Sequence, residues 1–435
     1  MIKAGAFATD ITPRNDLQLA GYPFVERRGT GVHDPLLASV LYIHNGETAL
    51  LFVSCDLIYI GRDLALRICE QVQERHGIPR ANIMITATHT HSGPATVTFI
   101  AGAHDALQQP VDEGYLSFLE ERIMEAVLQA IVQAGPAAAA LVKADATGIG
   151  TNRHSPEAAS DLKMPVLMVR RKADLSVIAC MVVCCMHPTV LHEDSTLYSG
   201  DFPGVARQIL QQYFSKDTVF LFQLGTAGNQ SPRHVTTGNT FGEAGRLAGI
   251  LATAITTAIR GARYQSDLGI RTAAGTVKLV RKTFPLPADA RDYVATCQLE
   301  LDSARAMGLT PQEVRSREVN WFGAREMAYL SQLVANGALE ETYRKTEQAE
   351  ILIFKTDLYT FIGWPGEIFV EYGLEIKEHY PDAAVITLVN GELQGYIVTP
   401  EAAAEGVYEA SNAVFDPSCG ALLVAKTKAL LNSLQ

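Results

Sequence analysis

The stretch Asn82-Ile83-Met84-Ile85-Thr86-Ala87 runs straight into Thr88-His89-Thr90-His91-Ser92-Gly93-Pro94, and this junction sets the pattern from which the fold is read. A short apolar, β-branched run reads as a buried strand. Polar, reactive side chains follow at once. The same succession recurs along the chain. Residues 177–186 lead into His187-Pro188, and residues 219–224 into Gly225-Thr226-Ala227-Gly228-Asn229-Gln230-Ser231-Pro232-Arg233. Residues 351–363 lead into Trp364-Pro365-Gly366-Glu367. In open α/β sheets, sites are built where strands end. The expected fold class is α/β, with a mixed central sheet flanked by helices.

Helical periodicity fills the intervals. Residues 62–76, 115–134, 243–260, 367–379 and 419–434 read as helices, the second stopped by Pro136 and the fourth opened by Pro365-Gly366. Residues 47–60, 164–170 and 384–389 read as further strands. The stretch at about 286–350 is mostly helical and charged, and Thr310-Pro311-Gln312-Glu313 is a capping box with proline at the first helical position. No repeat, low-complexity tract or linker interrupts the chain. The expectation is one large catalytic domain over residues 1–435 carrying a helical subregion.

The bulk composition is globular, with 48% hydrophobic and 19% charged residues. A net charge of -11 argues against nucleic acid or an anionic membrane as a bulk electrostatic partner. Seven cysteines, three of them crowded at Cys180, Cys184 and Cys185, read as buried reduced thiols rather than a disulfide framework. The start of the chain lacks a signal-peptide pattern. The longest apolar run, residues 49–60, is broken by Ser54 and Asp56, too short for a membrane span. A cytoplasmic protein without a transmembrane segment is expected.

Each candidate site residue has a plain structural alternative. His89 and His91 form a His-x-His pair able to point both imidazoles to one side of an extended segment, or else are turn histidines. His187 leaves a strand end as a ligand or as a structural histidine, with His192 as its competitor. Glu367 is a carboxylate ligand, or an acid favoured by a helix N-terminus. Tyr396 and Tyr408 lie in Gly395-Tyr396-Ile397-Val398-Thr399 and Tyr408-Glu409-Ala410-Ser411, near strand ends where tyrosines are common. Arg153 sits in the turn Asn152-Arg153-His154-Ser155-Pro156, and Ser231 in a loop that is neither a nucleophile elbow nor a phosphate loop.

Taken in order, these motifs, with Ala4-Gly5-Ala6-Phe7-Ala8-Thr9-Asp10-Ile11-Thr12-Pro13, Leu19-Ala20-Gly21-Tyr22 and Ser199-Gly200-Asp201-Phe202-Pro203-Gly204, resemble the neutral (alkaline, non-lysosomal) ceramidases over about residues 3–432. The resemblance implies one zinc ion per chain held by His89, His187, Glu367 and Tyr396. It implies His91 as a substrate-contacting histidine, and Arg153, Ser231 and Tyr408 as polar pocket residues. The serine run departs from the family's aspartate and asparagine around the serine. The chain ends soon after Tyr408-Glu409-Ala410-Ser411, so the C-terminal immunoglobulin-like domain of long members is not expected.

The activity so implied is hydrolysis of an N-acyl amide, ceramide-like or another N-acylated small molecule, by metal-activated water. Tyr396 and His91 would serve the oxyanion and the leaving nitrogen, with Ser231 beside them. Asp56 and Asp201, placed at strand ends, are candidates to orient the histidines. Competing readings are an esterase, lactonase or glycan-directed hydrolase on the same scaffold, a binding module without chemistry, and a serine hydrolase using Ser231.

Overall fold

A computed structural model describes residues 1–434. Its main sheet has eight strands: β1 (Lys3–Asp10), β2 (Leu37–His44), β3 (Ala49–Cys55), β4 (Ile83–Ala87), β5 (Gly135–Asp145), β6 (Lys163–Arg171), β7 (Val177–Cys184) and β8 (Val219–Leu224). They lie in the order β8-β7-β6-β5-β1-β2-β3-β4. The sheet is mixed as expected. β3 pairs parallel with β4 and β7 parallel with β8, while the other neighbours are antiparallel. The histidine and serine loops follow β4, β7 and β8, and the Thr86 hydroxyl near the end of β4 donates to Gln223 Oε1 near the end of β8, which draws those loops together.

A second sheet of four strands, β9 (Ile270–Lys278), β10 (Gln348–Thr356), β11 (Thr360–Gly363) and β12 (Ala383–Ile386), packs on the first. Side-chain alternation shows how. On β3, Leu51, Val53 and Cys55 join one core with helices α1 (Arg62–His76), α2 (Glu113–Val132), α3 (Asp201–Tyr213) and α4 (Phe241–Ala258). Leu50 and Phe52 point the other way and meet Leu352 and Phe354 of β10. The Phe52 ring lies 5.3 Å from that of Phe354 and 5.4 Å from that of Phe361. Ile351 and Ile353 of β10 then face a third core with the later helices. The result is four layers, helix-sheet-sheet-helix, in which the inner strands of both sheets are buried on both faces, while the edge strand β9 is largely exposed or half-buried. That explains the continuous apolar runs in their sequences.

The remaining helices are α5 (Pro287–Ala306), α6 (Pro311–Ala335), α7 (Glu340–Thr346), α8 (Val370–His379), α9 (Pro400–Glu405), α10 (Tyr408–Asn412) and α11 (Cys419–Asn432). The first three form the expected helical subregion, and both halves of the Thr310–Glu313 capping box are made. α6 approaches α10 so closely that a Cβ on Gly323 would sit 3.0 Å from Tyr408 Cδ2. Among the described residues no helix is long and apolar enough to cross a membrane. All seven cysteines are free and buried.

Three expected elements differ. Residues 351–363 are not one strand but the end of β10, a turn and β11. The Thr356 hydroxyl accepts from the amides of Leu358 and Tyr359 and closes that turn. Pro136 lies inside β5, and α2 has already ended at Val132. Residues 367–379 are not one helix either. Gly366 adopts φ +79, where a Cβ would meet Leu393 at 2.9 Å, and the turn sends Glu367–Ile368 into a parallel two-residue pairing with Tyr396–Ile397. The helix starts only at Val370.

Candidate metal centre

Chain reversal at the end of β4 brings the first two histidines inward. The amide of Thr88 donates to Cys55 O and that of His89 to Leu57 O. His89 takes φ +69, a left-handed conformation uncommon for a non-glycine residue. The segment is therefore not extended. The two rings still converge, with centroids 5.1 Å apart. His187 arrives from the end of β7, its ring 4.7 Å from that of His89.

Hydrogen bonding orients the His89 and His187 rings. His89 Nδ1 lies 2.9 Å from Ile58 O, and His187 Nδ1 lies 2.7 Å from Ala227 O and 2.9 Å from Gln230 O. A carbonyl only accepts, so Nδ1 carries a proton in each ring and Nε2 is the nitrogen left to face the site. Those Nε2 atoms both face Glu367 Oε2, at 3.3 Å for His89 and 3.1 Å for His187. Glu367 Oε1 accepts from the Tyr59 hydroxyl. Two ring nitrogens and a carboxylate oxygen thus converge in a buried space.

Such a set is satisfied by a cation. Burial pushes the His187 imidazole down to about 4 and the His91 imidazole well below its usual range. Burial would raise the Glu367 carboxyl, but the facing His89 and His187 rings outweigh it and hold it well below the usual carboxylate range. Neutral imidazoles and an ionised carboxylate are the states a divalent metal needs. His91 is the third nitrogen donor. Among the described residues neither of its ring nitrogens has a hydrogen-bond partner, and ligand nitrogens of His89, His91 and His187 all lie within 4.8 Å of one another. The residues therefore fit a metal ion. Two donor sets share His89 and His187 and differ in whether Glu367 or His91 completes them. Gly21 makes room for the His91 ring, since a Cβ there would lie 2.4 Å from His91 Nδ1.

Tyr396 reaches the site through backbone pairing, in register with Glu367. It is buried. Desolvation and the Glu367 carboxylate keep its phenol protonated, well above its usual pKa. The Arg153 guanidinium lies 5.4 Å from its ring centre, and the Tyr408 ring 6.1 Å away. Arg153 is brought in by the pairing of Thr151–Asn152 with Gln230–Ser231 and is fixed by a buried ion pair with Glu409. Glu409 also meets His154 Nε2 at 2.9 Å. Neither Glu409 nor Tyr59 was singled out from the sequence. Glu409 sits beside Tyr408 in an already noted run, whereas nothing local marks Tyr59.

The other candidates fall differently. Ser231 Oγ accepts from the Arg233 amide at 3.3 Å and caps a short turn, and among the described residues no imidazole hydrogen-bonds to it. His192 stands apart from the three histidines, its ring 6.0 Å from that of Tyr22. Among the described residues neither Asp56 nor Asp201 hydrogen-bonds to a histidine ring. Asp56 pairs with Arg207 at 2.6 Å and accepts from the Leu37 amide. Asp201 accepts from the amides of Val190, Leu191 and Phe202. Strand-end position brought these carboxylates near the loops, but backbone carbonyls already occupy the outer imidazole nitrogens.

Two cavities meet at the centre. The inner one is lined by His89, Glu367, Tyr59 and Glu326, and the outer one by Arg153, Ser231 and His192. His91, Tyr396 and Tyr408 line both. The outer cleft has a volume of about 1010 Å³, enough for a small-molecule substrate.

Comparison with known proteins bears on this arrangement. The family model for the neutral/alkaline non-lysosomal ceramidase N-terminal region matches residues 3–243. Neutral ceramidase 1 of Arabidopsis thaliana is 24% identical over 238 residues, covering 49% of this chain and 29% of that protein. Neutral ceramidase B of Dictyostelium discoideum is 31% identical over 136 residues, covering 30% and 18%. The matched region thus spans less than a third of the length of these curated relatives. In structure, the neutral ceramidase from Pseudomonas aeruginosa superposes with a TM-score of 0.77 at 17% identity, over 100% of this chain and 74% of that one. With more than half of its residues matched by the family model, the chain belongs to the neutral/alkaline non-lysosomal ceramidase family.

Proposed function

We propose that the protein is a zinc-dependent amidohydrolase that cleaves the amide bond of an N-acylated, ceramide-like small molecule, with one zinc per chain. The observation that carries this reading is the convergence of the His89 and His187 Nε2 atoms on the Glu367 carboxylate. His89, His187 and Glu367 would hold the ion, with Tyr396 as the fourth ligand. Zinc bound there supplies Lewis acidity and makes water nucleophilic near neutral pH.

The chain's own residues do the rest. His91 is neutral, unpartnered and at the junction of the two cavities, so it can take a proton and return it to the leaving nitrogen. The Tyr396 hydroxyl stays protonated and serves the developing oxyanion, a role often worth about 3 to 4 kcal/mol. Arg153, locked by Glu409, keeps Tyr396 in place and faces the substrate with Tyr408 and Ser231.

A second reading moves His91 from proton carrier to ligand, favoured by the mutual approach of the three histidine nitrogens. A third keeps the metal and changes the bond, giving an esterase, lactonase or glycan-directed hydrolase. The deciding experiment is elemental analysis of protein purified without added metal or a metal-affinity tag, followed by a panel of N-acyl amides, esters and glycosides. About one zinc per chain, with amide cleavage lost on chelation, is the expected result. Protein that holds no metal and takes none up would overturn the proposal. Cleavage restricted to esters or glycosides would keep the metal and replace the substrate.

A further inference from the structure

The outer cleft is lined by four arginines, and three have carboxylate partners. Arg153 pairs with Glu409, Arg305 with Glu318 at 2.8 Å, and Arg315 with Glu193 at 2.8 Å. Arg233 is the exception. Among the described residues no carboxylate lies within 4.0 Å of its guanidinium, whose Nη1 reaches only Arg153 O, at 3.4 Å. The cleft's remaining acid, Glu405, is exposed at the rim and makes no ion pair with it.

Position makes this lack of a partner informative. Arg233 is half-buried, two residues beyond Ser231, on the wall of the cleft that His91 and Tyr396 also line. Its charged neighbours are the guanidiniums of Arg153 and Arg315 and the Glu409 carboxylate, which is already engaged by Arg153 and His154. Burial and those cations bring its pKa down to about 10, which still leaves it charged at neutral pH. A partly desolvated cation beside other cations is unfavourable until an anion joins it. A guanidinium fork matches the two oxygens of a carboxylate or phosphate.

We propose that Arg233 is the anion-binding residue of the outer cleft, and that the substrate is an N-acyl amide bearing an oxyanion on the part that occupies this cleft. The reaction in this proposal rests on the amide-hydrolysis reading, while the binding rests on the cleft alone. The oxyanion sits on the guanidinium, and the amide lies at the junction next to His91 and Tyr396.

The test uses the full-length protein as purified and amides matched in chain length. N-octanoylglycine carries a carboxylate, N-octanoylglycinamide is neutral, and N-octanoylethanolamine phosphate carries a phosphate. For the wild type, kcat/KM for an anionic substrate should exceed that for the neutral one by about tenfold or more, mostly through KM. Arg233→Gln should bring that ratio close to one, and Arg233→Lys, which keeps the charge without the fork, should retain part of it. Calorimetric titration with the same compounds should show the same ordering in affinity. The two anionic substrates distinguish carboxylate from phosphate. An unchanged ratio and affinity difference in Arg233→Gln, or no difference in the wild type, would overturn the proposal. If no amide is cleaved, the reaction reading fails, and the titration still decides whether Arg233 binds the anion.

Discussion

The two halves of this molecule build one site by different means. Residues up to 243 supply His89, His91 and His187 from loops at strand ends. These loops lock onto one another. Thr90 Oγ1 donates to Ser199 O, the Ser199 amide donates to Ser92 O, and Asp201 holds the turn after His187. The later half supplies Glu367 and Tyr396 through a two-residue parallel pairing, which is tied to the serine loop by the Gly228 amide donating to Ile368 O and the Val370 amide donating to Asn229 Oδ1. Loop anchoring fixes the His89 and His187 imidazoles singly through their Nδ1 atoms. Strand pairing fixes two side chains relative to each other, so the carboxylate and the phenol move together or not at all.

That contrast can be broken most sharply at His187. His187→Ala should abolish both metal content and turnover, because it removes a donor from either possible ligand set. Retention of both would transfer the role elsewhere, first to His192. On the other side, Tyr396→Phe keeps the paired backbone and removes the hydroxyl. Turnover should fall by about 100- to 1000-fold while the melting temperature barely changes. An unaltered kcat would remove the phenol from the chemistry.

Asp56→Asn sharpens the comparison by testing support without ligation. Its pair with Arg207 is buried, and breaking it should cost about 3 kcal/mol of stability, with zinc content per folded chain unchanged. Loss of zinc at preserved stability would restore Asp56 as a residue that orients the site.

The smallest expected effect concerns Glu326 of the helical subregion. Burial raises its carboxyl to about 7, and Asp105 adds to the shift, against the hydrogen bond from Asn412 and the charge of Arg325. A raised carboxyl is protonated in the folded chain while ionised in the unfolded one between about 4.5 and 7. The unfolded state therefore binds fewer protons, and stability falls as pH rises through that window. Glu326→Gln should remove this fall, gaining roughly 2 kcal/mol on the wild type between pH 5 and pH 8. Parallel melting curves for both proteins across that range would dismiss the buried acid.

Much of this was legible in the sequence because the histidine half is written locally. A strand followed by a reactive loop is a contiguous signal, and β4, β7 and β8 end close to where their apolar runs end. The later half is written across distance. The pairing of Glu367 with Tyr396 involves two residues on each side, too few to leave a periodic trace. Glu367 therefore read as a helix start, although Gly366 turns the chain first. The stacking of the second sheet on the first was equally hidden. Strands such as β3 are apolar on both faces, so alternation cannot say that Phe52 faces Phe354 while Leu51 faces helices. Asp56 and Asp201 misled for a related reason, since a strand-end acid and a loop amide can satisfy each other without reaching a histidine.

The pairing of residues 367–368 with 396–397 also has a consequence in time. During synthesis, the histidine loops can emerge and lock while the carboxylate is still untranslated, and the phenol follows later still. Throughout that interval the proposed site holds its three imidazoles without the carboxylate and the phenol. On the proposed reading, hydrolytic competence waits for the last sixth of the polypeptide, which carries Glu367 and Tyr396, to dock. The same reading expects a chain ending before Glu367 to be inert, however well its first sheet has folded.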